Sequence, residues 1–433
     1  MEKHHVLLIG SGGREHAIAW KLNQSNGLGT LYLAPGNPGI NSLGVSAELD
    51  LTNFEEVVRF CKEKEIDLVI VGPEQPLVDG IVDYLEENDI AAFGPCKDAA
   101  KLEGSKEFAK EFMKRYQIPT ADYRTFSSDQ FDQALDYIRK RNQYPVVLKA
   151  DGLAGGKGVF ICESEKEAKK RLQQYSQDST LSNASAKVVV EEFMEGEEAS
   201  VFVISDGYTA KIIHHAQDHK RVGEGDTGLN TGGMGAYSPA PVLTNKLMDR
   251  IEKEIILPTI TGMQLEGTPY KGILYIGLMI TDNGPKVVEY NCRFGDPECQ
   301  VILPSMESDL LELMLATENQ RLDEKELLMD DLFHCCVVIS SGGYPVSYEK
   351  GKVIEGATDL DPDALLFHAG TAINDEGVLV SSGGRVLNVI GRGKSLREAI
   401  EHTYRNVKKV AFEKSFYRRD IGKKGLLHTS DSS

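Results

Sequence analysis

The sequence predicts a multidomain chain of α/β and α+β architecture, and three changes of pattern along its 433 residues predict it. The first hundred residues alternate continuous apolar strands with helices, the rhythm of a parallel sheet covered on both faces. From residue 104 the strands pair through short turns, which is the pattern of hairpins rather than of crossovers. From residue 329 several strands and one amphipathic helix form a small mixed unit. The expected division is therefore 1–103, 104–328 and 329–433.

The opening stretch reads strand ("VLLIG"), helix ("REHAIAWKLNQ"), strand ("GTLYLAP"), helix ("FEEVVRFCKEKE"), strand ("DLVIVGP"), helix ("LVDGIVDYLEEN") and then "IAAFGP". A parallel sheet built this way is Rossmann-like. Its first turn, "GSGGREHA", departs from a dinucleotide fingerprint twice. The third glycine position is Glu15, and the second strand ends in Ala34-Pro35-Gly36-Asn37 with no acid for a ribose diol. That argues against a nicotinamide oxidoreductase. What remains is Gly10, Gly12 and Gly13 exposing backbone N–H groups at a helix N-terminus, beside the Arg14 fork. This suits a single phosphate or carboxylate. A tight strand-to-helix turn without a ligand is the competing reading.

In the middle region, "PVVLKADGLAGGKGVFIC" places Lys149 at a strand end before glycines 152, 155, 156 and 158. It is not a P-loop, because Gly158 follows Lys157 where Ser or Thr is required. A glycine hairpin can still fold its backbone N–H groups over phosphates. "QQYSQDSTLSNASAK" reads as a surface loop. The strand "KVVVEEF" then ends in Glu191, Glu192, Phe193 and Met194, a pattern that can clamp an adenine and offer a carboxylate to a ribose. A solvated strand edge fits it equally.

Next come "GILYIGLMI" and "PKVVEYNCRF", joined by the hairpin turn "TDNG". Alternation puts Glu289, Asn291 and Arg293 on one face, with Val288 and Tyr290 packed on the other. A carboxylate and an amide oxygen suit Mg²⁺, and a guanidinium suits charge developing on a transferred phosphoryl group. A partly exposed edge with salt bridges is the alternative.

Beyond residue 329, "FHCCVVISSGGYP", "LFHAGTAI" and "GRVLNVIGRG" read as strands and "SLREAIEHTYRNVKKV" as a helix, with "GLLHTSDSS" a disordered tail. The net charge of −18 argues against nonspecific nucleic-acid binding and requires a locally basic site for any anionic substrate. No run approaches the ~18 apolar residues of a membrane span, and "MEKHHVLLIG" lacks a signal-peptide core, so a cytoplasmic protein is expected. The seven cysteines, at 61, 96, 162, 292, 299, 335 and 336, lack metal-ligand spacing and read as free thiols. His214 and His215 fall on opposite faces of a strand, which argues against a shared metal with His219.

Lys149 with its glycine hairpin, the "EEFM" segment and the E-x-N-x-R strand resemble the ATP-grasp superfamily. "GSGGREHA", "PGNPG", "VGPEQPLVDG", "GSKEFAK", "KADGLAGGKGV", "EEFMEGEEAS", "QDHKR", "NTGGMGAYSPAP", "EYNCRFGDPE", "GGYP" and "YRRDIG", in this order from residue 5 to 422, resemble the phosphoribosylamine–glycine ligase family. The resemblance implies a Rossmann-like substrate domain, a central ATP-grasp domain whose lid covers about 120–195, and a small C-terminal domain. It implies that ATP, glycine and 5-phosphoribosylamine give glycinamide ribonucleotide, ADP and phosphate in purine synthesis, through glycyl phosphate. It also implies a monomer.

Carried over by position, Lys106 and Lys149 would hold ATP phosphates, and Glu191, Glu192, Phe193 and Met194 would form the adenine hinge. Glu198 would meet the ribose, with Glu197 second, while Arg221 and Asn230 would reach the phosphate end. Glu289 and Asn291 would bind Mg²⁺ or Mn²⁺, with Arg293, Lys149 and Asp296 catalytic. Gly12, Gly13, Arg14, Asn37, Asp218, Arg293, Asp296 and Glu298 would contact glycine and the phosphoribosyl substrate. Gly277 stands where many ATP-grasp enzymes carry a second metal-binding acid. Another ATP-grasp ligase, such as a bicarbonate-using carboxylase, remains the nearest alternative, and a non-catalytic nucleotide-binding scaffold a more distant one.

Overall fold

The computed structural model describes residues 3–153, 158–177 and 187–429. Strands β1 (His4–Gly10), β2 (Leu28–Pro35), β3 (Val45–Ser46), β4 (Leu68–Val71) and β5 (Ala92–Phe93) form one sheet in the order β3-β2-β1-β4-β5. Every pairing in it is parallel. The continuous apolar run of β1 explains why it sits centrally. Val6 and Leu8 enter one core while Leu7 and Ile9 enter another, so both faces are covered. The chain leaves β1 for β2 on one side and later takes up β4 on the other. The carboxyl ends of β1 and β4 therefore flank a switch-point crevice.

The predicted hairpin over the glycine loop is present, as β7 (Val146–Ala150) pairs antiparallel with β8 (Val159–Cys162). With β6 (Tyr123–Ser127) and β9 (Lys187–Glu192) they make a separate sheet ordered β6-β9-β7-β8. Helices Phe131–Arg141 and Glu165–Gln177 cover it, and Phe126, Leu135, Ile138, Leu148, Leu172 and Val190 give it a core of its own. The centre of the glycine loop, 154–157, and most of the Ser/Gln-rich stretch lie outside the described residues. Segment 193–196 carries the chain out of this unit.

The third sheet begins with β10 (Glu197–Asp206) and β11 (Ala210–Asp218). A small hairpin follows, β12 (Arg221–Gly223) and β13 (Thr227–Asn230), then β14 (Gly235–Ser238), β15 (Lys271–Thr281) and β16 (Gly284–Asn291). Beyond residue 329 come β17 (Phe333–Ser340), β18 (Leu365–His368), the pair β19 (Thr371–Ile373) and β20 (Leu379–Ser381), and β21 (Arg385–Gly393). The order β16-β15-β10-β11-β14-β17-β21-β18 makes one eight-stranded sheet that runs through residue 329 without a break.

Local geometry corrects three expectations. The β15–β16 register shifts between Gly277 and Leu278, so that Glu289 faces Gly277 and Val287 faces Leu278. The bulge turns Val287, not Val288, into the core beside Tyr290, and Val288 is only partly buried. A similar shift at Ile213 precedes His214 and His215, whose rings touch at 5.0 Å instead of facing apart. Among the described residues no group of three His, Cys, Asp or Glu side chains can hold a metal. The expected disordered tail is ordered at its start: Lys423–Leu426 is helical and His428 meets Glu197 at 2.8 Å. All seven cysteines are free thiols. No helix among the described residues is long and apolar enough to cross a membrane.

Candidate active site

The opening turn satisfies itself. Glu15, in the third-glycine position, fits where Gly10 and Gly72 have no side chain; a Cβ on either would collide with it. Its carboxylate accepts the Gly12 N–H at 2.6 Å and the Arg14 Nε–H at 2.7 Å. Asp296 accepts the backbone N–H of Arg14 at 3.2 Å, and Arg14 Nη1 donates to the Phe294 carbonyl at 2.9 Å. The helix N-terminus predicted to hold a substrate anion is thus already met by two carboxylates of the chain itself. A β-carbon on Gly13 would strike Asn388 and Gln300, so that glycine allows close packing rather than an open pocket. Asn37 is likewise committed: its amide donates to the Ser11 and His368 carbonyls at 2.9 and 3.0 Å and accepts from Ile40 N–H at 2.9 Å.

Arg14 and Arg293, 279 positions apart in the chain, meet across Glu74. Arg293 Nε donates to Glu74 at 3.1 Å, and Nη2 donates to Glu103 at 3.0 Å and to Asn291 Oδ1 at 3.2 Å. Burial opposes the Arg293 charge, but Glu103 and Glu74 together raise its pKa. Sequence reasoning named neither acid. Glu74 lies just past β4, at the switch-point crevice, and that placement was the available signal. Asp296 is equally engaged, with Gln300 at 2.8 Å and Arg385 at 3.2 Å. Burial raises its pKa, but Arg385 and Arg14 outweigh burial and lower it.

Opposite lies the lysine wall. Lys149, on β7, reaches the Val288 carbonyl of β16 at 3.1 Å, so here the hairpin sheet touches the main sheet. Glu191, expected in the adenine hinge, has a buried side chain that pairs with Lys149 at 3.1 Å and Lys110 at 3.0 Å. Lys106 Nζ donates to the Gly152 carbonyl at 2.7 Å. Asp151 accepts from Ser105 Oγ and the Glu107 N–H, both at 3.1 Å, tying the base of the glycine loop to helix Lys106–Arg115. Burial lowers the pKa of Lys106, and burial with the repulsion of Lys149 brings Lys110 down to about 8.

The carboxylates gather beside them. Lys220, unremarked in the sequence although it adjoins Arg221, sits 3.1 Å from Glu198 and 3.7 Å from Glu289. Burial alone would raise the Glu289 pKa, but Lys220, Lys149 and Lys106 outweigh it and hold the group ionised. Glu298 is pushed up to about 8 by burial and by Asp218, and Asp218 to about 6 by burial and by Glu198 and Glu289. Among the described residues neither forms an ion pair within 4.0 Å. A β-carbon on Gly277 would sit 3.3 Å from Glu289 Cγ, so a side chain there would crowd the acid opposite it. Glu289 and the Asn291 amide oxygen, two hard donors on one face of β16, fit a divalent metal whose remaining ligands are phosphates and water.

Phe193 is exposed and Met194 partly buried in the irregular segment leaving β9, while Glu192 is held by Lys286 at 3.2 Å. Arg221 and Asn230 pair across the small hairpin.

A glycine-hairpin sheet closing over a main sheet, with lysines and carboxylates between them, defines an ATP-grasp protein. The family model described as "Phosphoribosylglycinamide synthetase, ATP-grasp (A) domain" matches residues 104–299, and the N and C domain models match 4–103 and 334–424. The chain belongs to the phosphoribosylglycinamide synthetase family, whose relatives carry the name phosphoribosylamine–glycine ligase. It is 51% identical to such a ligase from Agrobacterium fabrum over 417 residues, 96% of this chain and 97% of that one. The crystal structure of phosphoribosylamine–glycine ligase from Thermotoga maritima superposes with a TM-score of 0.81 at 34% identity, covering 96% of this chain and all of that one. The biotin carboxylase domain of Hydrogenobacter thermophilus 2-oxoglutarate carboxylase superposes with a TM-score of 0.73 over 96% of this chain and 92% of that one. At 16% identity that likeness is one of fold alone.

Proposed function

We infer that the chain is an ATP-dependent carbon–nitrogen ligase that joins glycine to 5-phosphoribosylamine, giving glycinamide ribonucleotide, ADP and phosphate in purine biosynthesis. The observation that carries the reading is the double charge mismatch of the cleft. Burial lowers the pKa of Lys106 and Lys110 and raises that of Asp218 and Glu298 within one site. A metal–nucleotide complex with an ammonium-bearing amino acid supplies the missing partners of both.

In this reading Lys106 and Lys149 hold the ATP phosphates, with Arg221 and Asn230 at the same end. Glu192, Phe193 and Met194 border the adenine, Glu198 meets the ribose, and Glu191 keeps Lys149 aimed. Glu289 and Asn291 would hold the divalent metal, Mg²⁺ or Mn²⁺, which would neutralise phosphate charge. Glycine's ammonium group lies against Asp218 and Glu298. The glycine carboxylate oxygen attacks the γ-phosphorus and ADP leaves. The amine of phosphoribosylamine then attacks the carbonyl carbon, and phosphate leaves with loss of a proton.

Arg293, fixed between Glu74 and Glu103, faces the charge that develops in both steps. The phosphoribosyl group lies in the switch-point crevice against Gly12, Gly13 and Arg14, its phosphate competing with Glu15 for the Arg14 fork, and Asp296 holds that turn in place. Asn37 shapes the crevice wall. The separate core of the hairpin sheet supports a lid over about 120–195, of which 154–157 and 178–186 lie outside the described residues, that would keep water from the acyl phosphate.

The test is ADP release with each candidate acid, in the presence and absence of phosphoribosylamine. Dependence on glycine and phosphoribosylamine together is expected. Release driven by bicarbonate, or AMP as the product, overturns the reading.

A further inference from the structure

The hairpin β12–β13 stands apart from the eight-stranded sheet, and Thr227–Asn230 is exposed along its whole length. At its base Thr231 N–H donates to the Lys220 carbonyl at 2.8 Å, but beyond that a two-stranded hairpin is marginal in water, so the position of its outer part needs an outside cause. That cause lies some 190 residues on, in "YRRDIG", a motif that the ligase chemistry leaves without a role. The Arg418 side chain is 1% exposed. Its Nη1 donates to the Arg221 carbonyl and to Asp226 Oδ1, both at 2.9 Å, so that one end of the fork holds the first strand and the tip of the hairpin. The other end binds Asp420 through Nε at 2.8 Å and Nη2 at 2.7 Å. Asp420 in turn accepts the Gly225 N–H at 2.8 Å. Lys424 pairs with Asp226 from the same segment.

The segment is itself anchored. Tyr404 donates its hydroxyl to the Arg418 carbonyl at 2.7 Å and accepts the Ile421 N–H at 3.0 Å, fixing the segment on helix Leu396–Val407. A planar fork that binds two carboxylates and a carbonyl at once specifies direction as well as energy.

We propose that Arg418 and Asp420 are positioning residues for the nucleotide site, clamping hairpin β12–β13 so that the C-terminal region sets where Arg221 and Asn230 stand over ATP. The functional half rests on the reading above that these two residues serve the phosphate end. The structural half stands without it.

The experiment follows amide exchange of residues 221–230 together with KM for ATP and for glycine in Arg418→Met, Arg418→Lys and Arg221→Ala. In Arg418→Met, exchange across the hairpin and KM for ATP are expected to rise about tenfold or more, the worth of a charge-assisted hydrogen bond. KM for glycine and exchange in β15 and β16 are expected to stay unchanged. Lysine, which keeps the charge without the fork, should restore part of both. If Arg418→Met does not fold, Asp226→Asn at the partly exposed tip tests the same contact. Unaltered hairpin exchange overturns the clamp. Faster exchange with an unchanged KM for ATP, while Arg221→Ala raises it, overturns the positioning role. An Arg221→Ala variant without effect on KM for ATP overturns the assignment of the hairpin to ATP and leaves the exchange result to judge the clamp.

Discussion

The opening turn and the nucleotide cleft are both rich in groups suited to anions, and they differ in how those groups are met. At the turn, Arg14, Glu15 and Asp296 satisfy one another, and Asp296 ionises more readily than a free carboxyl. In the cleft, Glu298 is pushed up to about 8 and Asp218 to about 6 by burial of carboxyls that have no ion pair within 4.0 Å among the described residues, while burial lowers the pKa of Lys106 beside them. A matched set of charges holds a fold together, whereas a mismatched set awaits a ligand. By this criterion the cleft is the stronger candidate site, and the turn is a structural junction where the proposed phosphoribosyl phosphate would have to displace Glu15 from Arg14.

The largest expected effect breaks the cleft. Lys149→Ala removes one contact between the two sheets, and the proposed phosphate ligand with it, and kcat should fall by about 10²–10³-fold. Circular dichroism and the melting temperature should show an intact fold, because Lys110 still pairs Glu191. Near-normal turnover would remove Lys149 from the site.

Arg14→Ala sharpens the comparison from the other side. It leaves the buried Glu15 without its nearest cation, and denaturant titration should show a loss of about 3 kcal/mol. If the crevice also holds the phosphoribosyl group, KM for that substrate should rise about tenfold, with KM for ATP unchanged. A stability loss with no change in either KM would make the turn structural alone.

The last effect concerns pH. Glu298 has a pKa raised from the usual 4.5 to about 8, so its contribution to stability is full below about pH 4.5 and is lost as pH rises through 8. Thermal melts of the nucleotide-free protein should therefore show Tm falling between about pH 5 and 8, and Glu298→Gln should flatten that slope. A slope identical in both proteins would place the burden on other groups.

What the sequence made legible was local. The parallel N-terminal unit, the hairpin of Lys149, the turn after Thr281 and the facing of Glu289 with Asn291 all follow from strand periodicity and turn residues. Partners supplied by distant segments were not legible. Asp296 reaches the Arg14 amide from 282 residues away, and Glu103 reaches Arg293 from 190. Glu15 stands at a fingerprint glycine position, yet its side chain fills the space that Gly10 and Gly72 leave empty, a relation between three separate positions. The bulge opposite Gly277 shifted Val288 because alternation holds only while the register does. Lys220 needed the fold to bring Glu198 and Glu289 around it.

The eight-stranded sheet has one further consequence. β14 pairs with β17 from Gly235–Val337 to Ser238–His334, so the boundary drawn at residue 329 falls between partners of a single ladder. A gene fragment ending there would leave β14 with an unpaired row of amides and carbonyls, an edge prone to pairing with other chains. The ATP-grasp region of this chain is therefore not a portable module. Evolution or engineering that moves it must carry the last hundred residues along.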